Sequence, residues 1–178
     1  SHYIYTGSPG DRKIVSAAAY VDDVNRDPIL IIDGLTKNWR YPGWRVSWTL
    51  GPKSAIEALA SAGSFLDGGA NHPFQYQAMH LLDPEITLQE TGAIQETFRK
   101  KRDFVLERVQ AMGIEVESDP EGAFYVWANL SKLPAPLNDG LEFFRAGLEQ
   151  KVITVPGVFF DVNPGRRRQG PLSALLPH

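Results

Sequence analysis

The longest regular pattern in the sequence runs from Pro84 towards Met112, and it limits how the rest of the chain can fold. Apolar residues recur there at helical spacing among charged ones, namely Ile94, Phe98, Val105, Leu106 and Val109. This spacing predicts a long amphipathic helix that Gly113 caps. The chain then divides into residues 1–83, a connecting helix at 84–112, and residues 113–178. We predict an α/β piece before the helix and an α+β piece after it.

The first piece contains an apolar run, Ile29 to Ile32, bounded by Asp27-Pro28 and Asp33-Gly34. A short continuous apolar run with turn residues on both sides is typical of a strand buried on both faces of a parallel sheet. Other elements are predicted from periodicity and turn residues: the end of a strand at 3–5, a strand at 44–50, and helices at 53–64 and 72–82.

The second piece follows Gly113 and mixes strand and helix patterns. Strands are predicted at 114–117, 123–129 and 152–155, and a helix from about 140 to 150. The last stretch, Gly165 to His178, predicts neither strand nor helix and is interpreted as a disordered or aberrant end.

Composition excludes several classes of function. The chain has no cysteine and only four histidines, which share no ligand spacing, so neither a disulfide framework nor a zinc site is expected. A net charge of −3 and a pI of about 5.8 give no general attraction to nucleic acid or to an anionic membrane. No apolar stretch is long enough to span a bilayer, and no signal pattern opens the chain. We therefore expect no nucleic-acid or membrane partner and a cytoplasmic location.

The segment from Asp33 to Trp48 carries the most chemical information. Lys37 comes directly after the predicted buried strand, and Arg45 follows eight residues later. Ligands of α/β sheets sit at strand ends, where a lysine can condense with a carbonyl and an arginine can present its planar fork to a phosphate. The alternative is that Lys37 is a solvated loop residue and Arg45 a surface residue.

The residues around Lys37 favour the first interpretation because they resemble the cofactor attachment site of class I and II aminotransferases. The matching residues are Leu35-Thr36-Lys37 and the run from Pro42 to Trp48, PGWRVSW. The resemblance continues in residues 68–82 (GGANHPFQYQAMHLL), 121–127 (EGAFYVW) and 155–160 (VPGVFF), and covers about Tyr3 to Pro164.

The resemblance implies an α/β fold, namely part of the fold type I, pyridoxal-phosphate-dependent transferase fold. Residues 1–83 would be the C-terminal part of the large domain's mainly parallel sheet, and residues 113–178 an incomplete small α+β domain. Lys37 would form a Schiff base with pyridoxal 5'-phosphate. Arg45 and Thr36 would bind its phosphate, and Gly43 would let the backbone turn close to it.

The same resemblance implies an amino acid and a 2-oxo acid as substrates. It also implies a homodimer for a full-length relative, with residues 68–82 near the interface. Asn71 could there approach the phosphate of a neighbouring subunit. Its position before a predicted helix indicates a helix cap instead, and we favour that interpretation.

Several positions depart from the family pattern. Gly34 stands where many relatives carry a serine that binds phosphate, Arg40 where a small or apolar residue is usual, and Ser47 where glycine is commoner. The family's glycine-rich loop, stacking aromatic, asparagine and ring-pairing aspartate find no match in the chain. The strand with the substrate-carboxylate arginine is not matched either. Arg166, Arg167 and Arg168 lack its context and are interpreted as a solvated basic run.

Two hypotheses of different classes follow. The chain is a lysine-dependent aminotransferase, or a same-fold lyase, because the lysine motif is shared; Lys37 would then also move the substrate's α-proton. Alternatively it is a catalytically inactive fragment that folds or associates without turnover. The unmatched residues lead us to expect that the chain as it stands is not a competent transaminase.

Overall fold

The computed structural model describes Tyr3 and residues 16–118, 120–160 and 172–175, the last of these for the backbone alone. The chain divides into two compact units, Ser1–Ile94 and Gln95–His178. The division falls inside the long helix. The assignment of domains at 1–83, 84–112 and 113–178 stays a prediction.

The first unit is built on two antiparallel strands, β1 (Ile31–Gly34) and β2 (Ser47–Leu50). Ile31 lies opposite Leu50, and Gly34 lies opposite Ser47. The predicted strand at 29–32 therefore exists, shifted by two residues. Its predicted burial in a parallel sheet is wrong for the described residues, because β2 pairs with it antiparallel and Ile32 is 75% exposed. An apolar run predicts burial only where another layer covers it.

The helices of this unit follow the predicted pattern, with one addition. A single helical turn, α1 (Leu35–Asn38), follows β1 and was not predicted. The predicted helices are confirmed as α2 (Lys53–Leu66), α3 (His72–Leu81) and the start of α4 (Pro84–Ala111). The strand expected from Trp44 begins later, since Pro42–Trp44 form a 3-10 helix.

The core of the first unit lies where the connection between β1 and β2 packs on α3. Its buried members are Leu35, Trp39, Val46 and Ala78. Trp44, Trp48, Phe74 and Leu81 pack around them half-buried. Three of the chain's four tryptophans, Trp39, Trp44 and Trp48, thus serve packing.

The second unit joins the end of α4 to α5 (Gly140–Glu149) and a three-stranded antiparallel sheet. Its core contains Val109, Ile114, Ala128 and Leu130. Gly113 ends α4 at φ +75°, and the amide of Ile114 donates to the carbonyl of Val109, which confirms the predicted cap.

Strand order in this sheet is β3 (Val126–Asn129), β5 (Leu172–Leu175), β4 (Val155–Pro156). The expectation that residues 165–178 hold no element is wrong, because β5 forms the central strand. The strands predicted at 114–117 and 152–155 are shorter than expected: the first is a single bridge between Glu115 and Asn129, and the second begins only at Val155. Pairing with distant backbone segments decides where these strands form, and a local sequence pattern does not contain that information.

The strand predicted at 3–5 and the basic run at 166–168 lie outside the described residues, Tyr3 excepted. None of the helices in the described ranges is both long and apolar enough to span a membrane. The cellular compartment stays a prediction.

Candidate functional site

The connection from β1 to β2 carries the three residues predicted to bind a cofactor. Thr36 and Lys37 lie on α1, and Arg45 lies between the 3-10 helix and β2. The side chains of Lys37 and Arg45 are exposed, and Thr36 is half-buried. Because β1 and β2 are antiparallel, the end of β1 and the start of β2 lie together, and the connection lies at that end. The part these residues play in binding a cofactor stays a prediction.

Main-chain hydrogen bonds fix the shape of this connection. The amide of Leu35 donates to the carbonyl of Val46 at 3.1 Å, and the amide of Tyr41 donates to the carbonyl of Leu35 at 3.0 Å. The first bond continues the pairing of the two strands past Gly34, and the second closes the turn that contains Lys37. These two hydrogen bonds therefore hold the backbone of Lys37 within a closed turn.

Three further hydrogen bonds hold the chain around Lys37 in place. The hydroxyl of Tyr3, a buried residue, donates to the carbonyl oxygen of Lys37 at 3.0 Å. The buried side chain of Asn38 donates to Asp33 Oδ1 at 2.9 Å, and the amide of Gly34 donates to the same oxygen at 2.7 Å. The sequence analysis missed the contact of Tyr3, since no local signal links residues 34 apart.

Aromatic side chains fasten the connection to α3. Trp39 is buried, and its Nε1 donates to the carbonyl of Leu81 at 2.9 Å. The ring of Trp44 stacks on that of Phe74, with centroids 4.9 Å apart and an angle of 8° between the planes. The hydrogen bond of Trp39 and the stacking of Trp44 on Phe74 attach both ends of the turn between Trp39 and Trp44 to α3.

The backbone on both sides of Pro42-Gly43 is strained. Arg40 has φ +62° and Arg45 has φ +54°, in the left-handed region that favours glycine. Arg45 also donates from Nη1 to the carbonyl of Pro42 at 2.9 Å, which uses one of the five N–H donors of its guanidinium. Strained backbone conformations persist where the surrounding contacts hold them in place, and such residues cluster at functional sites.

Arg40 forms an ion pair with Glu90 on α4. The arginine side chain is 51% exposed and the glutamate side chain 29% exposed. The sequence alone left open whether this bulky residue would enter the site. The charge of Arg40 is instead paired with that of Glu90, and this ion pair links the β1–β2 connection to the first turns of α4.

Asn71 caps α3, as we favoured. Its Oδ1 accepts a hydrogen bond from the amide of Phe74 at 3.1 Å. A cavity of about 380 Å³ lies along the same helix, lined by His72, Gln75, Tyr76 and Met79, and contains none of the predicted site residues. Within the described ranges, no group of three or more histidine and carboxylate side chains is placed to hold a metal ion.

Comparison with known proteins defines the class. The sequence model of the family "Aminotransferase class I and II" matches residues 4–173. The chain belongs to this family of aminotransferases, whose members generally use pyridoxal phosphate. The partial fold type I architecture expected from the sequence is confirmed.

Individual relatives share about a quarter to a third of the sequence. The chain is 30% identical over 161 residues to a (5-formylfuran-3-yl)methyl phosphate transaminase of Methanocaldococcus jannaschii, and the match covers 90% of this chain and 41% of that protein. It is 30% identical over 140 residues to an aspartate aminotransferase of Thermotoga maritima, a match that covers 78% of this chain and 34% of the relative.

The fold is similar to that of solved aminotransferases. A Methanococcus jannaschii protein, described as similar in its active site to kynurenine aminotransferases, superposes with a TM-score of 0.78 at 26% identity. The match covers 99% of this chain and 43% of that structure. The chain thus spans about two-fifths of the length of the relatives it matches.

Proposed function

We propose that this chain supplies the cofactor-anchoring part of a pyridoxal-phosphate-dependent aminotransferase. The reaction transfers an amino group between an amino acid and a 2-oxo acid, and Lys37 binds the cofactor aldehyde. One observation supports the proposal most directly. The hydrogen-bonded, strained connection between β1 and β2 presents the amine of Lys37 and the guanidinium of Arg45 from the same end of the strand pair.

The chemistry of these residues fits the two reactive ends of pyridoxal phosphate. A lysine amine condenses with an aldehyde, and a planar guanidinium matches the oxygens of a phosphate dianion. The hydroxyl of Thr36 is a further hydrogen-bond donor on the same turn. Gly43 leaves room for a large group, because an added Cβ there would have no heavy atom within 4 Å.

When bound, the cofactor would act as the sink for electrons released at the substrate α-carbon. The residues of this chain would supply attachment and proton transfer. Lys37 Nζ would first hold the cofactor and then, once displaced by the substrate amine, carry the proton away from the α-carbon. The hydrogen bond from Tyr3 and the pairing of Asn38 with Asp33 fix the backbone from which this amine acts.

Chemical labelling tests the assignment of Lys37. The chain is incubated with pyridoxal phosphate, reduced with borohydride, digested and mapped by mass spectrometry. We expect the reduced pyridoxyl label on Lys37 and its loss in Lys37→Arg. A label of equal yield on Lys53, which is exposed on α2 and lies 3.7 Å from Glu57, would contradict the assignment.

A second candidate is a chain that associates without turnover. The exposed apolar side chains favour it, since Ile32 is 75%, Leu50 55% and Phe65 91% exposed. Open strand edges with apolar faces promote self-association. In addition, β5 has the sequence LSAL and brings no arginine for a substrate carboxylate into the sheet.

Light scattering combined with a coupled transaminase assay separates the two candidates. On the second candidate, the chain self-associates and gives no multiple turnovers with pyridoxal phosphate, an amino donor and a 2-oxo acid. A monodisperse monomer that turns over repeatedly would contradict it. An amino acid that carries a leaving group on its β-carbon tests for a same-fold lyase: loss of that group followed by hydrolysis, giving a 2-oxo acid and ammonia with no 2-oxo acid acceptor added, would favour the lyase instead.

A further inference from the structure

Gly34 and Ser47 form the last residue pair of the β1–β2 ladder, next to the turn that bears Lys37. A Cβ added to Gly34 would lie 2.8 Å from Ser47 Cβ, 2.8 Å from the Val46 carbonyl oxygen and 2.9 Å from Ser47 Cα. Such distances are far inside van der Waals contact, and none of these atoms can rotate away. Position 34 therefore has no room for a side chain, because atoms of Ser47 and Val46 already occupy the space that it would fill.

Ser47 lies at the end of the strand pair that is next to the turn bearing Lys37. Residues directly opposite in an antiparallel pair project from the same face, so Ser47 extends on the face where a side chain of residue 34 would. The Ser47 side chain is exposed. It follows Arg45, the proposed phosphate ligand, by two positions. Thr49 is the next residue on the same face and pairs with Ile32, one step of about 7 Å farther from Lys37.

We propose that Ser47 Oγ donates a hydrogen bond to the phosphate of the bound cofactor, alongside Arg45. The inference rests on the proposed function and adds a ligand to the same site. Within the last residue pair of the β1–β2 ladder a hydroxyl can come only from Ser47, because Gly34 has no room for a side chain; it would add to the hydroxyl of Thr36 on the following turn. Hydrogen bonds to a charged acceptor are about twice as strong as neutral ones, so a single serine contributes measurably to affinity.

Paired ligands and paired variants test this role. Equilibrium dialysis gives the affinity of the chain for pyridoxal phosphate and for pyridoxal, which lacks the phosphate. We expect Ser47→Ala to lower the affinity for pyridoxal phosphate about tenfold and to leave that for pyridoxal within about twofold. Thr49→Val removes a hydroxyl from the same face without changing the size of the side chain, and we expect it to change neither affinity. Ser47→Thr retains a hydroxyl and should retain most of the affinity.

Several other outcomes would contradict this role of Ser47. An equal loss for both ligands in Ser47→Ala would overturn the proposal, because it would reveal a structural role for Ser47. Unchanged affinities would overturn it too, and so would an equal loss in Thr49→Val. A wild-type chain that binds the two ligands equally, with no reduced label on Lys37, would overturn the proposed function and this inference together. The label distinguishes the inference from the proposed function. A Ser47→Ala variant that loses its preference for pyridoxal phosphate over pyridoxal, while Lys37 is still labelled, supports the role of Ser47 separately from that of Lys37.

Discussion

Replacing Gly34 by alanine should destabilise the first unit, because the structure leaves no space for the added methyl group. Two contacts of 2.8 Å and one of 2.9 Å involve Ser47 Cβ, Ser47 Cα and the Val46 carbonyl, which are fixed by the strand ladder. Relieving them requires the two strands to separate locally. Overpacking of this kind costs about 1 to 3 kcal/mol in the free energy of unfolding.

Gly63→Ala is the matched control in the same unit. Gly63 lies in α2, and a Cβ there would meet no heavy atom within 4 Å. Alanine is favoured over glycine in a helix by about 1 kcal/mol, so this variant should be more stable than the wild type. The same added methyl group thus has opposite signs at the two positions.

Urea unfolding followed by far-UV circular dichroism measures both effects. With a urea dependence of about 2 kcal/mol per molar, Gly34→Ala should lower the midpoint by about 0.5 to 1.5 M, and Gly63→Ala should raise it by about 0.5 M. An unchanged midpoint in Gly34→Ala, with the control behaving as expected, would refute the pairing of Gly34 with Ser47. The steric argument for the role of Ser47 would then fail as well.

Individual contacts give three further predictions. Arg45→Ala should weaken binding of pyridoxal phosphate by about 1.5 to 3 kcal/mol in equilibrium dialysis. Arg40→Ala should affect it less, because the ion pair with Glu90 employs Arg40 elsewhere; an equal or larger loss would contradict the role of Arg45. Burial raises the pKa of Tyr3, so its contribution to stability is complete below the ordinary value near 10 and falls as the pH rises above it. Tyr3→Phe should flatten the loss of unfolding free energy above about pH 10, and identical alkaline profiles would exclude this cause. Asp139→Ala removes the cap that accepts from the amides of Leu141 and Glu142 at 2.9 and 3.1 Å, and should cost about 1 kcal/mol in urea unfolding, whereas Asp139→Asn should cost far less.

The sequence by itself determined the helices. The bounds of α2, α3, α4 and α5 agree with the predicted ones to within about two residues, because helical periodicity, caps and glycine stops act within a few residues of chain. The cap at Asn71 and the glycine at 113 are local in the same sense. The candidate site residues could be named from the sequence for a related reason: Thr36, Lys37 and Arg45 lie within one short connection.

Only the tertiary structure decided which strands pair and what surrounds the lysine. β5 was not expected, and it lies between β3 and β4 because backbone hydrogen bonds from both sides fix it, whatever its local sequence favours. Likewise, the hydroxyl of Tyr3 contacts Lys37 across 34 residues of sequence, and Arg40 meets Glu90 across 50. The closed space at Gly34 follows from its pairing with Ser47, which is a property of the strand register. Contacts between distant segments depend on how the whole unit packs, so no window of the sequence contains them.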